Sequence, residues 1–255
     1  MKIDLSIFTN FTSMDVDQLP VFATLQSFAT AFDLNEFANI RVFCHAAPLS
    51  IPFDVLRRRF GEALPGRTIE LYSTRNLADG YVRSLRASDA DILYQLEHDY
   101  TFTPASVRHT LADMARAMKT AGIPYLRFNI GPNEDNGFDR LTPFDMAGIP
   151  CCKTTIFSNR PHLLDRAYAL EHYLPVIDVT RGTAHGIEEN LTAAFHLGWI
   201  YGPLGNPRVI HHTDGRQLQR DLRRQSLSLR LIEFFSRHAK WARDKLNLGR
   251  YGRVH

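Results

Sequence analysis

The sequence predicts an α/β protein built on a mainly parallel sheet. Short runs rich in β-formers alternate with amphipathic, helix-spaced segments over the first hundred residues. Such alternation favours right-handed crossovers and helices on both faces of the sheet. The chain has 255 residues, of which 44% are hydrophobic and 22% charged, so it can bury a core of ordinary globular size. Its apolar runs stay short of the ~18 residues that span a bilayer, and no signal-peptide pattern opens the sequence.

The first half of the chain predicts four strands and three intervening helices. Pro20 stands at the first position of the first helix, where its missing N–H costs nothing. The predicted strands are residues 3–9, 40–45, 68–72 and 91–96, and the predicted helices are residues 19–32, 53–64 and 77–85.

The second half is less regular. Thr103 and Pro104 are a typical start for a helix, which Gly122 ends. Residues 131–150 are rich in Gly, Pro, Asn and Asp and predict a long loop that closes over a ligand. The remaining predicted elements are strands at 123–130, 154–158 and 208–212 and helices at 104–121, 161–172 and 185–197.

The cysteines and the charge distribution indicate a cytoplasmic protein with a basic end. Cys44, Cys151 and Cys152 form no disulfide or metal-binding pattern, which favours reduced thiols. From residue 216 onward there are eleven Lys and Arg against three Asp and Glu, although the whole chain carries only +3. The preceding body is therefore acidic, and the basic end predicts contact with something anionic.

Polar residues follow each of the four predicted parallel strands. Ligands of such sheets bind at the carboxyl ends of the strands, so these residues are expected to converge. They are Thr9 and Asn10, His45, Ser73 to Arg75, and Glu97 to Asp99.

The acidic triplet at the end of the fourth strand predicts a metal site. In an extended chain, Glu97 and Asp99 project to the same side and could share one cation. Mg²⁺ and Mn²⁺ prefer carboxylate oxygens together with substrate phosphates. The alternative is a solvated strand end with ordinary turn acids.

Residues 81–99 resemble the segment that precedes the DxD motif in family-two glycosyltransferases, which are metal-dependent and mostly inverting. Here Glu97 replaces the first Asp of that motif. The resemblance implies the GT-A fold, with a Rossmann-like nucleotide-binding half fused to an acceptor-binding half. It also implies that the following residues bind the nucleotide sugar: Thr9, Asn10, His45, Arg75, Asn76, Arg83 and His98.

Two further motifs extend the resemblance. Residues 185–191 resemble the family's acidic pair at the start of a helix, where the second acid deprotonates the acceptor hydroxyl. By position this catalytic base is Glu189, with Glu188 as the alternative, and a helix-capping role is the structural explanation for both. His211 and His212 occupy the chain position of a further metal ligand, and strand alternation would aim one of them inward.

The resemblance implies a domain organisation and an activity. Residues 1–215 form the catalytic domain (1–102 nucleotide-sugar half, 103–215 acceptor half), and residues 216–255 form a basic amphipathic tail. The predicted reaction transfers a sugar from a UDP-sugar to a sugar or glycolipid hydroxyl with Mn²⁺ or Mg²⁺, in assembly of a bacterial-type surface polysaccharide or glycolipid. Inversion is expected, and retaining chemistry stays open.

Two other classes and the role of the tail remain open. The rival activities are a metal-dependent phosphoester hydrolase and a non-enzymatic nucleic-acid-binding module, although no nucleic-acid motif is present. The tail could lie on an anionic membrane at its inner face or pack on the catalytic domain.

Overall fold

The structure is a computed structural model that describes residues 1–10, 16–45, 52–135, 140–180 and 185–213, without the side chains of Gln18 and His185. Residues 1–213 make one compact unit. The predicted tail, and with it most of the basic surplus, therefore lies outside the described residues. Within these ranges, no helix is long and apolar enough to cross a membrane.

The strands form one nine-stranded mixed sheet and a two-stranded sheet. In chain order the strands β1 to β11 are Ile3–Asn10, Asn39–His45, Ile69–Thr74, Ile92–Glu97, Tyr100–Phe102, Tyr125–Arg127, Thr142–Met146, Ile149–Thr154, His162–Asp165, Gly198–Tyr201 and Ile210–His212. The order in the large sheet is β3-β2-β1-β4-β9-β6-β10-β8-β7, and β11 pairs with β5 in the small one.

Helices cover both faces of the large sheet, as the sequence predicts. In chain order the helices α1 to α6 are Pro20–Ala31, Phe53–Ala63, Leu77–Ala87, Leu111–Ala121, Arg166–Tyr168 and His185–Phe195. One apolar cluster joins α1, α2 and α4 to one face, and a second joins α3, α5 and α6 to the other. After α5 the chain stays helical as a π-helix over Ala169–Tyr173 and a 3-10 turn over Leu174–Val176.

Up to Gly122, most elements follow the sequence prediction. Strands β1, β2, β3 and β4 are parallel to one another. Asn76 caps α3 by accepting a hydrogen bond from the backbone of Asp79, and Gly122 ends α4 in the left-handed conformation. Residues 104–106 form a separate 3-10 turn, so α4 begins later than predicted, at Leu111.

The structure differs from the prediction in four places. Residues 162–165 form β9 rather than the start of a helix, and β9 pairs antiparallel with both β4 and β6. The predicted loop at 131–150 contains most of a hairpin, β7 and β8, which turns at Ala147 and Gly148, both with positive φ. The strand predicted at 154–158 is wrong, since β8 ends at Thr154. The short strands β5 and β10 have no counterpart in the predicted elements.

Candidate functional site

The ends of the parallel strands place several of the predicted residues along one edge of the sheet. Asn10 is opposite His45, and His45 is opposite Thr74. On the other side of β1, Phe8 is opposite Glu97. Because these strands are parallel, their polar carboxyl ends form one continuous row. In this row the Asn10 side-chain oxygen is buried and has no hydrogen-bond partner among the described residues.

Asp99 and His212 meet at the end of this row. The His212 Nε2 atom lies 3.1 Å from the Asp99 Oδ2 atom, and 13% of the Asp99 side chain is exposed. The other carboxylate oxygen, Oδ1, is buried without a hydrogen-bond partner in the described part of the chain. Thr213 fixes the backbone here by donating its N–H and its hydroxyl to the Asp99 carbonyl, at 2.8 and 2.9 Å.

The small sheet brings these two residues together across more than a hundred residues of sequence. In the β5–β11 pairing, His212 is opposite Tyr100, whose ring lies 5.1 Å from the imidazole ring. His211 is exposed, so of the two candidate histidines it is His212 that lies beside Asp99.

Glu97 and His98 lie at the same strand end, half-buried. Burial lowers the pKa of His98, although the neighbouring Asp99 and the Phe8 backbone oppose the shift. The His98 carbonyl accepts a hydrogen bond of 2.7 Å from the Thr24 hydroxyl of α1. Over the described ranges, no group of three or more His, Cys, Asp or Glu side chains is arranged to hold a metal ion.

Arg75, Asn76 and Arg83 form a network around Asp79 at the start of α3. Arg75 and Arg83 both form ion pairs with Asp79, at 3.3 and 3.2 Å. Burial raises the pKa of Asp79, but hydrogen bonds from Arg75 and Arg83 outweigh it, so the pKa lies below its usual value. The Asn76 amide donates to the Val179 carbonyl, and the Arg75 side chain is 70% exposed at the sheet edge.

The reversed direction of β9 adds a basic residue to the site. His162 is opposite both Gln95 of β4 and Arg127 of β6. Two residues earlier, Arg160 is therefore at the level of Glu97, two residues after Gln95. Arg160 donates a hydrogen bond of 2.8 Å to the Asn129 side chain, just beyond β6.

A cavity of about 420 Å³ lies among the segments that follow β6 and precede β9, and Arg160 is one of its lining residues. Its polar walls come from Arg127 at the end of β6 and Asn129 after it, from Ser158 and Arg160 before β9, and from Glu188 of α6. Its apolar walls and rim are Ile130, Gly131, Pro132, Glu134, Leu141, Ile156, Phe157 and Ile200. The part of the predicted loop that the structure describes thus borders this cavity at residues 131–134 and 141.

Glu188, rather than Glu189, lines the cavity. One carboxylate oxygen of Glu188 accepts hydrogen bonds from the Ser158 hydroxyl, at 2.8 Å, and from the Asn159 backbone, at 2.6 Å. Glu189 is exposed on the same helix. Burial raises the pKa of Tyr100 strongly, and the carboxylates of Glu97, Asp99 and Glu188 add to the shift while Arg160 opposes it. The acidic strand end and the cavity therefore share one electrostatic environment.

Sequence reasoning missed Arg127, Asn129 and Arg160. Arg127 lies in a run assigned to a strand, and Arg160 precedes a segment assigned to a helix, so neither was placed at the site. Recognising residues 162–165 as an antiparallel strand would have shown that the residues before it face the ligand edge.

Comparisons with known proteins address the fold. No protein-family model matches the sequence. No curated protein matches it either. Among solved structures, residues 1–349 of S. aureus TarS, a GT-A glycosyltransferase, superpose with a TM-score of 0.54 at 11% identity, covering 84% of this chain and 60% of that one. The protein has a GT-A-like fold.

Two liganded structures of the same S. aureus protein are also similar. The complex with UDP superposes with a TM-score of 0.52 at 13% identity, covering 83% of this chain and 60% of TarS. The complex with UDP-GlcNAc gives 0.50 at 14% identity, covering 84% and 59%. The chain thus spans about 60% of the length of the TarS fragment that it matches.

Proposed function

We propose that this protein transfers a glycosyl unit from a nucleoside diphosphate sugar to an acceptor hydroxyl. The observation that carries the proposal is a GT-A-like sheet with the Asp99–His212 pair at its ligand edge and a cavity that holds a hydrogen-bonded carboxylate, Glu188. TarS of similar fold binds UDP and UDP-GlcNAc, which supports a UDP-sugar as donor.

The chemistry of Asp99 and His212 fits a divalent cation. A buried carboxylate oxygen that has no hydrogen-bond partner among the described residues and an imidazole nitrogen 3.1 Å from the other oxygen offer a mixed oxygen and nitrogen donor set. Mn²⁺ or Mg²⁺, when bound there, would supply positive charge to the departing diphosphate. Two protein ligands suffice for such an ion, since Mg²⁺ keeps several waters and substrate phosphates in its coordination.

Glu188 is our choice for the general base. The hydrogen bonds from Ser158 and Asn159 orient its carboxylate toward the cavity, where an acceptor hydroxyl can give up its proton as the new bond forms. The finer proposal is a single displacement that inverts the anomeric carbon of a UDP-sugar, with a sugar or glycolipid acceptor of a bacterial-type surface polysaccharide or glycolipid.

A matched pair of variants tests the base. Release of UDP from UDP-sugars is measured with Mn²⁺ and a panel of sugar acceptors, and UDP binding is measured by calorimetry. Glu188→Gln is expected to lower the acceptor-dependent rate by about 10²-fold or more without weakening UDP binding, whereas Glu189→Gln keeps the rate. The reverse ranking would move the base to Glu189.

A second pair tests the cation. Asp99→Asn is expected to remove the strengthening of UDP binding by Mn²⁺, and Asp113→Asn, on the exposed face of α4, is the control. UDP binding that is equally strong with Mn²⁺ and with a chelator in the wild-type protein would contradict a metal-dependent site. Absence of UDP binding under both conditions would contradict the proposed function itself.

A further inference from the structure

We infer that the acceptor carries an anionic group, a phosphate or a carboxylate, that binds Arg160 and Arg127 in the cavity. This inference rests on the proposed function and adds the chemical class of the acceptor. Both arginines line the cavity; Arg160 is half-buried and Arg127 is 2% exposed.

Arg160 is held by a neutral partner. Its Nη1 atom donates to the Asn129 amide oxygen at 2.8 Å, so this contact orients the guanidinium without neutralising its charge. A guanidinium has five N–H donors in a planar fork, which suits a bidentate carboxylate or phosphate. The donors not used by Asn129 leave room for such a group on the cavity side.

A chain of side-chain amides fixes that orientation. The Asn133 amide nitrogen donates to three consecutive backbone carbonyls, those of residues 201–203, at 3.0, 3.0 and 3.2 Å. Asn133 is buried, so its amide oxygen must point the other way, where it accepts from the Asn129 amide nitrogen at 3.2 Å. The Asn129 oxygen is thereby turned toward Arg160. Asn133 and Asn129 are positioning residues in this scheme.

Arg127 brings a second positive charge to the same cavity. It ends β6 two residues before Asn129, so both side chains project to the same side of the chain. Glu134, which also lines the cavity, is exposed and screened by water. In the proposed reaction Glu188 serves the reacting hydroxyl, and Arg160 and Arg127 add positive charge to the same cavity.

Calorimetric titration of the full chain tests the inference. UDP and Mn²⁺ are present at saturation so that the donor site is filled. The probes are glycerol 3-phosphate and glucuronate, with glycerol and glucose as their uncharged counterparts. The charged probes are expected to bind the wild type saturably. Their affinity for Arg160→Gln and for Asn129→Asp is expected to be lower by about tenfold or more, because a charge-assisted hydrogen bond contributes more than a factor of ten in affinity. Arg116→Gln, an exposed arginine on α4, is the matched control and should behave as the wild type.

Three results would overturn the inference. The first is equal binding of charged and uncharged probes, and the second is unchanged binding of the charged probes to Arg160→Gln. The third is one-for-one competition between the charged probes and UDP, which would assign the arginines to the donor site. Arg127→Gln is a supporting variant. If this change at a buried residue prevents folding, Arg160→Gln alone decides the question. If UDP does not bind at all, the proposed function fails, and the same titrations without nucleotide still decide whether Arg160 binds an anion.

Discussion

Protonation of one buried histidine is expected to limit stability below neutral pH. His162 lies in the middle of the large sheet, where its Nδ1 atom is 2.7 Å from the Arg160 carbonyl and its Nε2 atom is 2.9 Å from the Tyr81 hydroxyl. Burial lowers its pKa from 6.5 to about 4, although the Arg160 carbonyl opposes the shift. The folded protein therefore keeps a neutral imidazole at pH values where the unfolded chain already binds a proton.

The magnitude follows from the difference between the two pKa values. Stability is full above the unfolded value of 6.5 and falls as the pH drops toward 4, because the unfolded state gains a proton that the folded state does not. Between pH 7 and pH 5 the expected loss of unfolding free energy from this residue is about 2 kcal/mol. Below about pH 4 both states are protonated and the loss levels off.

The assay compares pH slopes of stability. Urea unfolding is followed by circular dichroism at several pH values between 5 and 7 for the wild type and for His162→Gln. Glutamine offers a donor for the Arg160 carbonyl and an acceptor for the Tyr81 hydroxyl, but it does not titrate. The wild type should lose about 2 kcal/mol more than the variant over this range. Parallel curves would show that His162 is protonated at its ordinary pKa in the folded protein, and the reasoning from burial would be refuted.

Three further changes test the packing. Asp4→Asn should destabilise the fold by about 3 kcal/mol in urea unfolding, because it removes the buried counter-charge of Arg41 and leaves only the part-exposed Glu70 to pair with it. Gly202→Ala should cost about 1–3 kcal/mol in the same assay, since φ is +93° there and an added Cβ would lie 2.4 Å from the Asn206 side chain. Asn133→Ala should cost about 2 kcal/mol by thermal unfolding, because the hydrogen bonds from the buried Asn133 amide to the carbonyls of residues 201–203 are lost.

Matched controls separate these effects from general sensitivity. Asp113→Asn removes an exposed carboxylate of an i,i+3 ion pair and should change stability by less than about 1 kcal/mol. Gly61→Ala, in the interior of α2 with no atom within 4 Å of the added Cβ, should stabilise by about 0.5–1 kcal/mol. A loss for Gly61→Ala as large as that for Gly202→Ala would contradict the steric argument.

The sequence predicts the nucleotide-side half well because local signals agree there. Each of β1 to β4 is a compact apolar run, and the helices between them carry amphipathic spacing and recognisable caps. The parallel order then places Asn10, His45 and Glu97 along one edge without further information. The order of the remaining strands depends on pairings between distant segments, which no local pattern encodes.

The prediction of a helix at residues 161–172 shows why the acceptor side was harder. The apolar spacing from Leu163 to Leu170 also fits a helix. Pairing with β4 and β6 makes residues 162–165 a strand instead. The three-residue strand β5 is too short to have a period of its own. The pairing of Asp99 with His212 depends on that strand, so the sequence suggested both residues but did not choose between His211 and His212.

The antiparallel strand β9 has a mechanical consequence. It is hydrogen bonded to β4 on one side and to β6 on the other, so the two halves of the molecule share one uninterrupted ladder. A hinge that swings one half against the other would have to break those bonds. Any opening or closing of the candidate site must then come from the segments that connect the strands, while the sheet beneath it stays rigid.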